Sequence, residues 1–274
     1  MVAAEPNRQR IAAFFDVDRT LLRGSSMLAL AGPLQRAGLL PRRAVLNAAL
    51  RGLQFSVRGF SEEEIQRAVQ SIGDAVRGKE VRALRRAADR AVPRALGPRV
   101  FEEALRLISW HRLHGHLVFL VSASTRDLIV RLGDLVGADA VVASEAEVVA
   151  GCYTGRVALC HGVAKAEAVR RLADVYGVDL SGSYAYGDAA GDIPMLQSVG
   201  HPVAVNPDRR LRAAAERMGW GQLRFRTRAT WAPLTVQGRP VSPIRVPLPG
   251  PRVEGTDPAV VAQAAADGAG TAAY

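Results

Sequence analysis

The chain has 274 residues, 49% of them hydrophobic and 23% charged, with a formal net charge of +10. That balance excludes a collagen-like, disordered or disulfide-framework protein, and the length suits one large domain or a core with an insert. No run of about 18 residues is both apolar and uncharged, so no transmembrane segment is expected, and the first ten residues lack the pattern of a signal peptide.

The charge is uneven. Residues 23–108 carry 16 basic against 8 acidic side chains, whereas 109–222 are nearly balanced. A basic segment attracts anionic partners such as phosphorylated molecules, nucleic acid or acidic lipid; a solvated helical surface is the plainer reading. Of the 36 basic residues all but two, Lys79 and Lys165, are arginine. In such a background a lysine is notable, because its compact ammonium differs from the planar guanidinium. The two cysteines, Cys152 and Cys160, match no metal spacing and read as reduced thiols of a cytoplasmic protein.

In chain order, residues 11–15 form an apolar run short enough for a buried strand, ending at Asp16. Residues 23–108 read as helices punctuated by glycine and proline, with a capping box at Ser61–Glu64. An amphipathic helix follows over 99–114, then a buried strand over 117–122 and a helix over 125–136. A short strand is expected at 140–142 and a hairpin over 145–159, turning at Gly151 or Gly155. A helix over 163–176, a strand over 183–186, a helix over 192–198, a strand over 201–206 and a helix over 208–218 complete the pattern.

Strands alternating with helices predict an α/β fold, a mainly parallel sheet with helices on both faces. The helical block interrupts the alternation and so reads as an inserted cap. The expected division is a core of 8–22 and 109–222, a cap of 23–108, and a flexible tail of 223–274 that holds 7 of the 15 prolines.

Four polar clusters fall after strands, where such sheets bind ligands. Asp16 and Asp18 stand two apart in D-x-D-x-T; one carboxylate can attack while the other exchanges protons. Ser122, with the amides of Ala123 and Ser124, can hold a phosphate oxygen. Lys165 begins a helix. Asp188 and Asp192 lie four apart in a glycine-containing loop and suit a hard cation such as Mg2+. Each cluster alone has an ordinary structural explanation: a loop boundary, an N-cap, a surface lysine or a capping aspartate. The three histidines of Trp110–His116 read as structural residues at a helix end.

In order and spacing the four clusters resemble the haloacid dehalogenase superfamily, over residues 10–222, and most closely its phosphoserine-phosphatase-like branch, family IB. The resemblance implies a Rossmann-like core with a helical cap and a Mg2+-dependent phosphatase of a small phosphorylated metabolite. It implies Asp16 as nucleophile, Asp18 as acid and base, and Ser122, Ala123 and Lys165 as phosphate-binding. The metal falls to Asp16, the Asp18 carbonyl and Asp188, with Asp192 orienting Lys165. The presence of Asp18 favours hydrolysis, which needs a base for water. Arg19 departs from the small residue or lysine usual there, and Ala189 from serine. The competing readings are a strict phosphoserine phosphatase, phosphoryl transfer to another acceptor, and a basic nucleic-acid- or membrane-binding protein with a relic site. Aromatics at 5% and the lack of an aromatic-basic motif argue against nucleic acid.

Overall fold

The computed structural model describes residues 10–42, 67, 70–71 and 73–229, with the backbone of 244–245. The capping box at Ser61–Glu64 lies outside the described residues, as does most of the tail beyond 229. Among the described residues no helix is long and apolar enough to cross a membrane.

The strands are β1 (Ala12–Phe15), β2 (Leu117–Thr125), β3 (Ala140–Val149), β4 (Cys152–Ala158), β5 (Tyr184–Gly187), β6 (His201–Val205), β7 (Gly221–Leu223) and β8 (Ile244–Arg245). They form one sheet in the order β4-β3-β2-β1-β5-β6-β7, with β8 beside β3. All pairings are parallel except the β3–β4 hairpin.

Alternation along the strands builds two layers of core. Ala13 and Phe15 of β1, with Val118 and Leu120 of β2, face one cluster. Ala12 and Phe14, with Leu117, Phe119 and Val121, face the other. Helices α3 (Glu102–Leu113) and α4 (Arg126–Val136) cover the first face. Helices α5 (Val163–Tyr176), α6 (Ile193–Leu196) and α7 (Arg209–Met218) cover the second.

The cap helices α1 (Ser26–Arg36) and α2 (Val81–Ala95) lie between β1 and β2 in the chain. Their apolar stripes, Leu30 and Leu34 on α1 and Leu84, Ala88 and Val92 on α2, join the core cluster of the first face. The β3–β4 hairpin braces the cap: Gly78 N–H donates to the Tyr153 carbonyl (2.8 Å), Tyr153 N–H to the Lys79 carbonyl (3.0 Å), and Val81 N–H to the Gly151 carbonyl (3.0 Å).

The hairpin turns at Ala150–Gly151 rather than at Gly155. β3 runs well past the three residues expected of it, because its second half pairs with β4. Residues beyond 222 begin with a stretch fastened to the body. Phe225 is buried, Glu103 accepts from the N–H groups of Arg226 and Thr227, and Ala229 N–H donates to the Val100 carbonyl.

Candidate active site

The chain places β1 at the middle of the sheet, with β2 on one side and β5 on the other. Its connections leave toward β2 and β3 and return to β5 and β6, so the strand order reverses at β1. Such a reversal opens a crevice at the carboxyl ends of the strands. Asp16 directly follows β1, and its N–H donates to the Tyr186 carbonyl of β5 at 2.9 Å. Asp188 directly follows β5, so the two carboxylates emerge side by side at one edge.

Lys165 reaches the same edge from the first turn of α5. Gly162 caps that helix at φ 57°, a left-handed conformation that favours glycine. Lys165 Nζ donates to Asp16 Oδ1 at 2.5 Å and to Asp192 Oδ1 at 2.6 Å, with all three side chains buried. Asp192 Oδ2 accepts from the N–H groups of Asp188 (3.0 Å) and Ala189 (3.2 Å). Asp192 thereby fixes both Lys165 and the loop that carries Asp188. That loop needs Gly187, since a Cβ there would sit 2.6 Å from Asp192 Cβ.

Asp18 lies at the rim, half-buried, and its Oδ1 accepts from the Ser26 N–H at 2.9 Å. The donor belongs to the first turn of α1, so the cap positions this carboxylate and the helix dipole favours its charge. Ser26 Oγ also meets Ser124 Oγ at 2.5 Å, tying cap to core beside the site. Ser122 is buried within β2, which continues to Thr125 through an irregularity, so Ser122 is a strand residue and not an N-cap. Ser122 Oγ accepts from the Ser124 N–H at 3.1 Å, and the Ala123 carbonyl accepts from Ser144 Oγ at 2.7 Å. The Ser124 amide is thus engaged internally, where the sequence suggested a phosphate donor.

The electrostatics follow from burial. Asp16 is pushed up to about 7 by desolvation and by Asp192, against the opposing pull of Lys165. Asp188 is raised well above the carboxylate range by burial and by Asp16 and Asp192, which outweigh Arg19 and Lys165. Asp18 is also raised by burial, which its Ser26 hydrogen bonds only partly offset. Burial alone would lower Lys165, but its two carboxylate partners hold it above the ordinary lysine value. The carboxylates outnumber the cations, so the cluster is short of positive charge.

A divalent cation fits that shortage. Carboxylate oxygens of Asp16, Asp188 and Asp192 lie within 4.8 Å of one another. Asp16 Oδ2 and Asp188 Oδ2 are buried with no hydrogen bond. Both Asp192 oxygens are already engaged, so Asp16 and Asp188 are the available inner donors. An all-oxygen set suits a hard ion, and the cluster is a Mg2+ site.

Sequence reasoning gave no role to Ser26 and considered Ser124 only for its amide, because the contact of their hydroxyls joins residues 98 apart. His111, His114 and His116 lie elsewhere, around the start of β2. His111 is buried and bonds His116 through Nδ1 (2.9 Å) and Tyr186 Oη through Nε2 (2.8 Å), against Trp110 and Tyr184.

A model of the haloacid dehalogenase-like hydrolases matches residues 13–197. The chain is 40% identical over 218 residues to an "inhibition of morphological differentiation protein" of Streptomyces azureus, spanning 79% of each chain. It is 38% identical over 266 residues to a protein of Mycobacterium tuberculosis named a probable phosphatase, spanning 96% of this chain and 88% of the relative. A substrate-bound phosphoserine phosphatase superposes with a TM-score of 0.58 at 19% identity, covering 79% of this chain and 93% of that one, a likeness of fold. With its motifs gathered at one sheet edge under a helical cap, the chain belongs to the haloacid dehalogenase-like hydrolases.

Proposed function

We propose that the protein is a phosphatase of a small phosphomonoester lacking an ammonium group beside the ester. The observation that carries this reading is the buried Asp16–Lys165–Asp192 array, with Asp18 held at its rim. Asp16 attacks phosphorus; the ester P–O bond breaks, and Asp18 gives its proton to the leaving oxygen. The raised pKa of Asp18 suits that proton transfer. Water then attacks phosphorus while Asp18 takes its proton, the bond from phosphorus to the Asp16 oxygen breaks and inorganic phosphate leaves, so one difficult step becomes two. Lys165 keeps charge off Asp16, and with Ser122 and the Ala123 backbone it receives the phosphoryl oxygens. Bound Mg2+, held by Asp16, Asp188 and the Asp18 carbonyl, supplies further charge neutralisation for the phosphate.

The substrate class rests on Ser25. In the phosphoserine phosphatases that the chain resembles, a glutamate five residues after the motif threonine pairs with the substrate ammonium, and that place here is Ser25. Its Oγ accepts from the Leu28 N–H at 3.4 Å as the N-cap of α1. It offers no charge, and exposed Arg23 stands nearby. An ammonium left without its carboxylate costs on the order of 3–5 kcal/mol when buried. Steady-state hydrolysis of a panel of sugar, polyol and headgroup phosphates should give kcat/KM values roughly a hundredfold or more above phosphoserine. Phosphoserine leading the panel overturns the reading. The free thiols of Cys152 and Cys160 support action in the reducing cytoplasm.

A further inference from the structure

Arg19 directly follows Asp18 in the loop after β1 and reaches Asp188, the aspartate after β5. Its backbone has φ 65°, a left-handed conformation that disfavours a side chain bearing Cβ. The turn is closed by the Arg19 N–H donating to the Gly24 carbonyl at 3.2 Å. It directs the guanidinium across the site, where Nε lies 2.8 Å from Asp188 Oδ2. Strain of this kind at a functional edge points to a role for the side chain.

The contact is one of charge. Asp188 Oδ2 is buried and makes no hydrogen bond, although the guanidinium is adjacent. An ion pair without an aligned hydrogen bond can be exchanged for another cation with little structural loss. Lys165 cannot substitute, since its ammonium is shared by Asp16 and Asp192. The Arg19 side chain is also 30% exposed against 6% for Asp188, so it has a way out toward solvent.

Building on the assignment of Asp16 and Asp188 as the metal donors, we propose that Arg19 is a positioning residue that holds the place of the cation. In the metal-free protein its charge neutralises Asp188. The incoming ion displaces it, and the protein therefore binds Mg2+ less tightly than its carboxylates alone would allow. A unit charge a few ångströms from a divalent ion at this half-exposed rim changes affinity by about tenfold.

The test is calorimetric titration of the metal-stripped full chain with MgCl2, for the wild type, Arg19→Gln and Arg19→Gly. The glycine variant accepts the left-handed backbone and guards against misfolding of the other. Both variants should bind Mg2+ about tenfold more tightly, and metal-free Arg19→Gln should melt at a lower temperature than metal-free wild type. A residue serving only to brace the loop would not tighten metal binding. Equal or weaker Mg2+ affinity in both variants, beside a wild type that binds, overturns the role of Arg19 alone. A wild type that binds no Mg2+ overturns the metal site and this inference together.

Discussion

Lys165 shows how one side chain sets the character of the site. Its ammonium lies 2.5 Å from Asp16 and 2.6 Å from Asp192 in a pocket closed to solvent. Three donors on a point charge fit that geometry, while a planar guanidinium needs more room and fixed directions. Lys165→Ala should therefore lower kcat at least roughly a hundredfold, the scale of a lost contact to developing charge. Lys165→Arg should recover only part of that loss. Near-normal kcat in either variant would show that Lys165 takes no part in catalysis. This residue was legible in the sequence because lysine is scarce in the chain. Ser26 was not, and Arg19 stood out only as a departure from the family pattern, since the contacts that define them come from distant segments: Ser26 meets Ser124, and Arg19 meets Asp188.

Between elements, the joint of cap and core is drawn by Asp127 at the start of α4. It accepts from Arg85 Nε of α2 at 2.7 Å and from Tyr153 Oη of β4 at 2.8 Å. Tyr153 is almost fully buried, whereas the Arg85 side chain is 44% exposed. Asp127→Ala leaves the Tyr153 hydroxyl buried without its acceptor and should destabilise the protein by about 1–3 kcal/mol. Arg85→Ala removes only a solvent-screened pair and should cost less than about 1 kcal/mol. Denaturant unfolding of the two variants checks the order, and equal losses would contradict it. Arg85 belongs to the basic segment whose plainer reading is a solvated helical surface, which its exposure matches, but the sequence gave no sign of the partner on α4. The helices over 126–136 and 163–176 were legible from periodicity and their terminal glycines. β7 and β8 were not: each is a strand of two or three residues whose existence depends on a neighbouring edge, β6 for one and β3 for the other.

The described residues form a mainly parallel sheet whose order reverses at β1, with a helical cap inserted after that strand. This much was legible because buried strands read as short apolar runs, and the motifs of Asp16 and Asp188 directly follow one. The closeness of Asp16 and Asp188, residues 172 positions apart, is a property of the sheet order, which motif spacing suggests but does not contain. The hairpin was read from the sequence, but its bracing of the cap needed the fold, since residues 78–81 form no strand and meet it only through backbone hydrogen bonds and the isolated Glu80–Cys152 bridge. On the proposed function, this assembly brings one nucleophilic carboxylate, one lysine and one divalent cation to a phosphate ester. The most direct test is hydrolysis of p-nitrophenyl phosphate by the wild type with Mg2+, by the wild type with excess EDTA, and by Asp16→Asn with Mg2+. Turnover is expected in the first case and none in the other two; release of p-nitrophenol that survives EDTA or the loss of Asp16 would contradict the proposed function.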